Sequence, residues 1–125
     1  MDLAGCAIIE NNAILLLHRI SKDWYELPGG KVNPNESAEN AAVRELKEEL
    51  NVTVKILKKL GEKEFADNSY TMHYVWFLAS ITSGNLKIGE TKTHDHFKFI
   101  PLTELSNYNL SPNMKNCAEC YPTFK

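Results

Sequence analysis

Residues 30–52 read GKVNPNESAENAAVRELKEELNV, and their glutamates fall where a divalent cation and a chain of phosphates would need them. On a helix that turns about 100 degrees per residue, Glu45, Glu48 and Glu49 stand at i, i+3 and i+4 and share one face. Like charges so placed destabilise an isolated helix by a few tenths of a kcal/mol, so something has to compensate them. A hard cation such as Mg2+ takes oxygen ligands from one or two carboxylates, keeps some water and completes its shell with substrate phosphate oxygens. The competing reading is a solvated charged face, a common fate of a short run such as E-x-x-E-E. The preceding Leu27-Pro28-Gly29-Gly30-Lys31 shifts the weight toward a site. Its two glycines let the backbone turn sharply and bring a carbonyl close to a cation.

A metal site needs rigid support. Ala42, Val43, Leu46 and Leu50 give the helix an apolar stripe to bury. Pro34-Asn35-Glu36-Ser37 is a start signal, with Asn35 or Ser37 as the cap and Glu39 available to a capping box. Upstream, Leu3 to Ile9 and Ala13 to His18 read as two strands around an Asn11-Asn12 turn. Trp24 and Tyr25 fall in a loop ahead of the glycines and could form part of a pocket wall. Downstream, Val52 to Leu57, Leu60 to Ala66 and Tyr70 to Ile81 are strand-like, with turns at Asp67-Asn68-Ser69 and Ser83-Gly84-Asn85. Phe97 to Ile100 is a short strand ended by Pro101, Thr103 to Leu105 begins a helical turn, and Ser111 to Cys120 forms a last helix with Ser111 as cap and Pro112 at its first position. Periodicity alone supports α+β or α/β. On the long strand, either Tyr74 and Trp76 or His73, Val75 and Phe77 face a cleft.

The glutamate segment resembles the Nudix box, G-x5-E-x7-R-E-U-x-E-E-x-G-U with U a bulky aliphatic residue. Gly30, Glu36, Arg44, Glu45, Leu46, Glu48, Glu49 and Val52 match it. Asn51 replaces the second glycine, which ends the helix in a left-handed conformation that Asn tolerates next best. The resemblance implies one domain over residues 1–125, an α/β fold in the form of an α/β/α sandwich with a mixed sheet between helices, and Mg2+ as cofactor, with Mn2+ as an alternative. It implies that Glu45, Glu48 and Glu49 are the metal-binding and catalytic set, that Gly30 offers its carbonyl, and that Arg44 with Glu36 orients the carboxylates.

The family's common reaction is hydrolysis of a nucleoside diphosphate linked to another group. The compact layout resembles the MutT-type enzymes, which cleave nucleoside triphosphates to the monophosphate and pyrophosphate. The expected substrate is a purine dNTP, canonical or oxidised. His18-Arg19 resembles the place where such enzymes carry an arginine near substrate, and Leu110-Ser111-Pro112-Asn113 resembles the segment whose asparagine reads the base. Arg19, Lys31, Asn113 and Phe77 form the expected substrate-binding set. Glu90, Asp95 and His96, with His94 beside them, are candidates for a downstream acid or base. Rival readings are a Nudix enzyme for ADP-ribose, a sugar nucleotide or a dinucleotide polyphosphate, and a nucleotide-binding module of the same fold without turnover. A third is a non-enzymatic protein with a charged helix.

Composition narrows the partners. A formal net charge of −2 argues against a nucleic-acid polymer as ligand, since such surfaces carry a basic excess. The longest apolar run, Ala13 to Leu17, is too short to span a bilayer, and the amino terminus lacks the pattern of a signal peptide. The expectation is a cytoplasmic enzyme, monomer or homodimer, whose partner is a nucleotide. Three cysteines suit a reduced compartment. Cys117 and Cys120 have CxxC spacing that His94 and His96 could complete as a zinc site, against the plainer reading of ordinary cysteines in a terminal helix.

Overall fold

The apolar run Ala13 to Leu17 lies in the middle of the molecule because both faces of its strand are covered. The computed structural model, which describes residues 1–67 and 70–118, places it in β3 (Ala13–Arg19), where Ile14, Leu15, Leu16 and Leu17 are all fully buried. One sheet has the order β5-β1-β7-β6, from β1 (Asp2–Ala7), β5 (Gly29–Lys31), β6 (Val52–Asp67) and β7 (Tyr70–Gly84). It is mixed, because β1 runs parallel to β7 while the other pairs are antiparallel. In the second sheet β3 pairs with β8 (His94–Pro101) along one edge, and with β2 (Ile9–Glu10) and β4 (Trp24–Glu26) along the other.

Alternation along the central strands sorts side chains into two cores. Ala4, Cys6, Leu15, Leu17, Val75 and Phe77 pack beneath Ala41, Ala42, Leu46 and Leu50 of helix α1 (Ala38–Leu50). Ile14, Leu16, Tyr74 and Trp76 point the other way and pack with Met114 and Cys117 of α2 (Pro112–Ala118). The result is the expected α/β/α arrangement, with a 3-10 helix over Leu102–Asn107 leading into α2. No helix among the described residues is long and apolar enough to cross a membrane.

Local chemistry fixes both ends of α1. Ser37, in extended conformation, accepts the Asn40 N–H at 3.1 Å and is the cap in preference to Asn35. Asn51 adopts φ 61°, the left-handed end that its sequence position demands, and its N–H bonds to the Lys47 carbonyl. The Asn11-Asn12 turn also has positive φ at both residues, the geometry of a tight hairpin between β2 and β3.

Other boundaries differ from expectation. The segment Leu3 to Ile9 breaks at Ile8, so β1 belongs to one sheet and β2 to the other. The two strands expected between residues 52 and 66 are one long edge strand, β6, whose register shifts near Lys58 and Lys59 absorb the irregularity. Its exposed lysines discourage pairing with a foreign strand. Trp24 and Tyr25 lie in β4 rather than a loop, and β8 begins at His94 rather than Phe97. Asn68, Ser69 and Cys120 lie outside the described residues.

Candidate active site

The glutamate face of α1 lies against β5, and glycine is what permits the approach. Gly29 donates its N–H to Glu49 Oε1 at 2.7 Å. A Cβ on Gly30 would stand 2.7 Å from the Glu45 carboxylate, so any side chain there would displace it. Arg44 binds loop and helix together. Its Nε and Nη2 fork onto the Glu36 carboxylate at 2.9 and 3.0 Å, Nη2 also donates to the Lys31 carbonyl, and Nη1 is shared between Glu45 at 3.0 Å and Glu48 at 3.1 Å. Glu36 in turn accepts the Asn33 N–H.

The far end of α1 is closed by the segment before β8. Lys87 and Gly89 donate their N–H groups to the carbonyls of Leu50 and Glu49, satisfying helix-end acceptors. The contact is so close that a Cβ on Gly89 would stand 1.9 Å from the Glu48 carbonyl oxygen. This docking carries Glu90 to the acidic cluster, where its charge acts on Glu45, Glu49 and Arg19. Burial pushes the Glu49 carboxyl well above its ordinary range; the Gly29 N–H opposes this, while the charges of Glu45, Glu26 and Glu90 add to it. Glu45 is raised first by burial, against the pull of Arg44, with Glu48 and Glu90 adding.

Across the cleft, β3 and β4 build a second cluster. Arg19 forks onto Glu26 with two bonds of 2.8 Å, the Trp24 indole N–H donates to the same carboxylate at 2.7 Å, and His94 Nε2 reaches it at 2.8 Å. Burial works to raise Glu26, but these donors outweigh it and bring its pKa down to about 2. His94 is fully buried, and among the described residues its Nδ1 has no hydrogen-bond partner. Two adjoining hollows of about 330 and 130 Å3 open here, sharing Arg19, Glu26 and Asn113. The smaller reaches Gly29, Gly30 and Tyr74, so it joins the Asn113 side to the glutamate face. Asn113 stands in the first turn of α2, which Ser111 caps by accepting the Met114 N–H at 3.0 Å.

Gly30, Arg44, Glu45, Glu48, Glu49 and Glu90 are thus neighbours, and Arg19 and Asn113 line the same cleft. Lys31 is exposed, and it is its carbonyl that is engaged. Phe77 is not a cleft residue: it is 3% exposed and packed in the core beneath α1, because strand alternation gives the cleft to Tyr74. Asp95 and His96 join His18 in a separate group. Among the described residues Cys117 is buried in the core with Met114, His94 Nε2 is committed to Glu26 and no metal-ligating group includes Cys117; Cys120, the other half of the CxxC pair, lies outside them. Sequence reading missed Glu26. Its signal was a carboxylate three residues before Gly29, but its partnership with Arg19 becomes visible only once β3 and β4 pair.

The donor set suits a hard divalent cation. Glu45, Glu48 and Glu49 offer carboxylate oxygens, Gly30 offers a carbonyl, and the charges crowding Glu45 and Glu49 are incompletely neutralised by Arg44. Among the described residues the three carboxylates do not converge on one point as they stand: Glu45 and Glu48 turn to Arg44 while Glu49 turns to Gly29.

A family model described as NUDIX domain matches residues 2–121. The chain is 39% identical over 75 residues to an 8-oxo-dGTP diphosphatase of Escherichia coli, covering 54% of this chain and 55% of that one. It is 34% identical over 95 residues to an ADP-ribose pyrophosphatase of Methanocaldococcus jannaschii, covering 72% and 56%. The chain therefore spans about half the length of these curated relatives. A MutT NUDIX hydrolase from Burkholderia pseudomallei superposes with a TM-score of 0.87 at 28% identity, over 94% of this chain and 95% of that one. With the matched region extending over nearly the whole fold, the chain belongs to the NUDIX family.

Proposed function

We propose that this protein is a Mg2+-dependent nucleotide pyrophosphohydrolase that converts a purine nucleoside triphosphate, canonical or oxidised, to the monophosphate and pyrophosphate. The observation that carries the reading is the buried Glu49, bonded to Gly29 behind the cleft that Arg19 and Asn113 line, with the charges of Glu45, Glu26 and Glu90 acting on it. Acidic groups kept at this cost belong to chemistry more often than to packing.

Glu45, Glu48 and Glu49, with the Gly30 carbonyl, would hold the cation, and Arg44 would keep two of the three carboxylates in place. A bound divalent ion supplies neutralisation of the phosphates and a water of lowered pKa. Glu90, carried to the cluster by the Gly89 contact, would accept the proton of the attacking water. Arg19 spends Nε and Nη2 on Glu26, which leaves Nη1 for a phosphate oxygen. The Asn113 amide offers both a donor and acceptors to a purine edge, and Trp24 and Tyr74 line the hollows beside it.

The similarity to an ADP-ribose pyrophosphatase favours one second reading, hydrolysis of ADP-ribose. The test is a product-resolved screen of nucleotides with Mg2+ present or omitted. Pyrophosphate with a purine monophosphate supports the triphosphate reading, and AMP with a sugar phosphate supports the second. No turnover of any nucleotide with Mg2+ present would leave a binding module and overturn both.

A further inference from the structure

We propose that His18, Asp95 and His96 form a second metal site, separate from the glutamate cluster, which takes a borderline transition-metal dication such as Zn2+ or Co2+ in preference to Mg2+. The three residues offer one ligand atom each, all within 4.8 Å of one another. Two imidazoles and a carboxylate suit Zn2+ or Co2+, whereas Mg2+ takes oxygen donors.

The site is built by strand register. His18 of β3 stands directly opposite His96 of β8, so their rings stack with centroids 4.9 Å apart and 18° between planes. A register shift at His18/Arg19 leaves Asp95 as the extra residue between the pairs His18–His96 and Arg19–His94. Such a bulge re-aims side chains: His94 turns inward to Glu26, while Asp95 Oδ1 meets His18 Nδ1 at 2.8 Å and His96 Nδ1 at 2.9 Å.

The outer ring nitrogens are held as those of metal-bound histidines usually are. His18 Nε2 reaches Asp23 Oδ1 at 2.8 Å, and His96 Nε2 reaches the Tyr25 hydroxyl at 2.8 Å. When these nitrogens carry the protons, both Nδ1 lone pairs face the Asp95 carboxylate, acceptor against acceptor, and a cation resolves the conflict. An ion bonded at about 2.0–2.2 Å to each donor needs donors about 3.4 Å apart, so the ligands shift by roughly 1 Å or less as it enters. Asp95 and His96 are half exposed, which leaves the ion a way in.

The test is titration of the full chain with Co2+ in excess Mg2+, followed by visible absorption and equilibrium dialysis, with Zn2+ as competitor. We expect one saturable Co2+ per chain displaced by Zn2+, about tenfold weaker in Tyr25→Phe and at least a hundredfold weaker in His18→Gln/His96→Gln. Glu49→Gln should leave it unchanged. His96→Gln alone, at a half-exposed position, guards against loss of fold and should also lose the absorption. Uptake that persists in the histidine variants, or disappears in Glu49→Gln, would overturn the proposal, because the ion would then lie at the glutamates. No uptake at all would overturn it too, with protons alone bridging the cluster.

Discussion

Glu49→Gln is expected to stop turnover and yet make the metal-free protein more stable at neutral and alkaline pH. Glu49 is 5% exposed, and among the described residues its carboxylate has the Gly29 N–H as a hydrogen-bond donor and no ion-pair partner. An amide oxygen can keep that bond, so the substitution removes charge and little else. Burial, then the charges of Glu45, Glu26 and Glu90, hold this carboxyl well above its ordinary range. The sign follows by linkage. A carboxyl that is harder to ionise in the folded state than in the unfolded one favours folding most at low pH. Stability is lost as pH rises above the ordinary carboxylate value, and the loss is complete above the raised one.

An ionised carboxylate buried without a cation costs on the order of a few kcal/mol, and its charged hydrogen bond returns about 1.5–3 kcal/mol. The net relief is therefore about 1–2 kcal/mol. For 125 residues, at about 2.1 cal/mol/K each, that raises Tm by roughly 4–8 °C. Thermal unfolding in EDTA between pH 5 and 9 measures it. The wild type should lose stability as pH rises, and the variant should show a flatter profile. Added Mg2+ should reverse the order, since an ion at about a hundred times its Kd stabilises the wild type by about 2.7 kcal/mol and binds the variant weakly. Turnover of the variant should fall at least about a hundredfold. A variant that is less stable than the wild type in EDTA at pH 8, or that keeps its pH slope, would refute the reasoning.

Three further outcomes follow from the geometry. Phe77→Ala should cost about 3–5 kcal/mol of stability with KM unchanged in the surviving folded enzyme; an altered KM would return Phe77 to the cleft. Asn113→Ala should raise KM for the preferred purine nucleotide about 3–10-fold, the loss of one hydrogen bond, and an unchanged base preference in a kinetic comparison would remove Asn113 from recognition. Gly89→Ala cannot keep the present contact with the Glu48 carbonyl, so kcat and Tm should both fall as the segment bearing Glu90 lifts away. Native values of both would show that Glu90 does not depend on this docking.

The features legible in the sequence were those that depend on neighbours a few residues apart. The carboxylate face of α1, a cap at Asn35 or Ser37 and the left-handed Asn51 all follow from helical spacing and from what each residue does to its own backbone, and the structure settles the cap on Ser37. Long-range register was not legible. Alternation along β7 left two assignments open, and Gly5 decides between them: a Cβ there would stand 2.4 Å from the Tyr74 hydroxyl, so Tyr74 lies over the bare backbone of β1 and Phe77 must face α1. Likewise His94, Asp95 and His96 read as one group in sequence, but the register shift against β3 divides them. His94 braces Glu26 and through it Arg19 inside the cleft, whereas Asp95 and His96 meet His18 in a separate cluster. A straight strand would send His94 and His96 to the same face. The single extra residue is therefore what lets one short segment serve the cleft and a second cluster at once, and removing it should disturb both together.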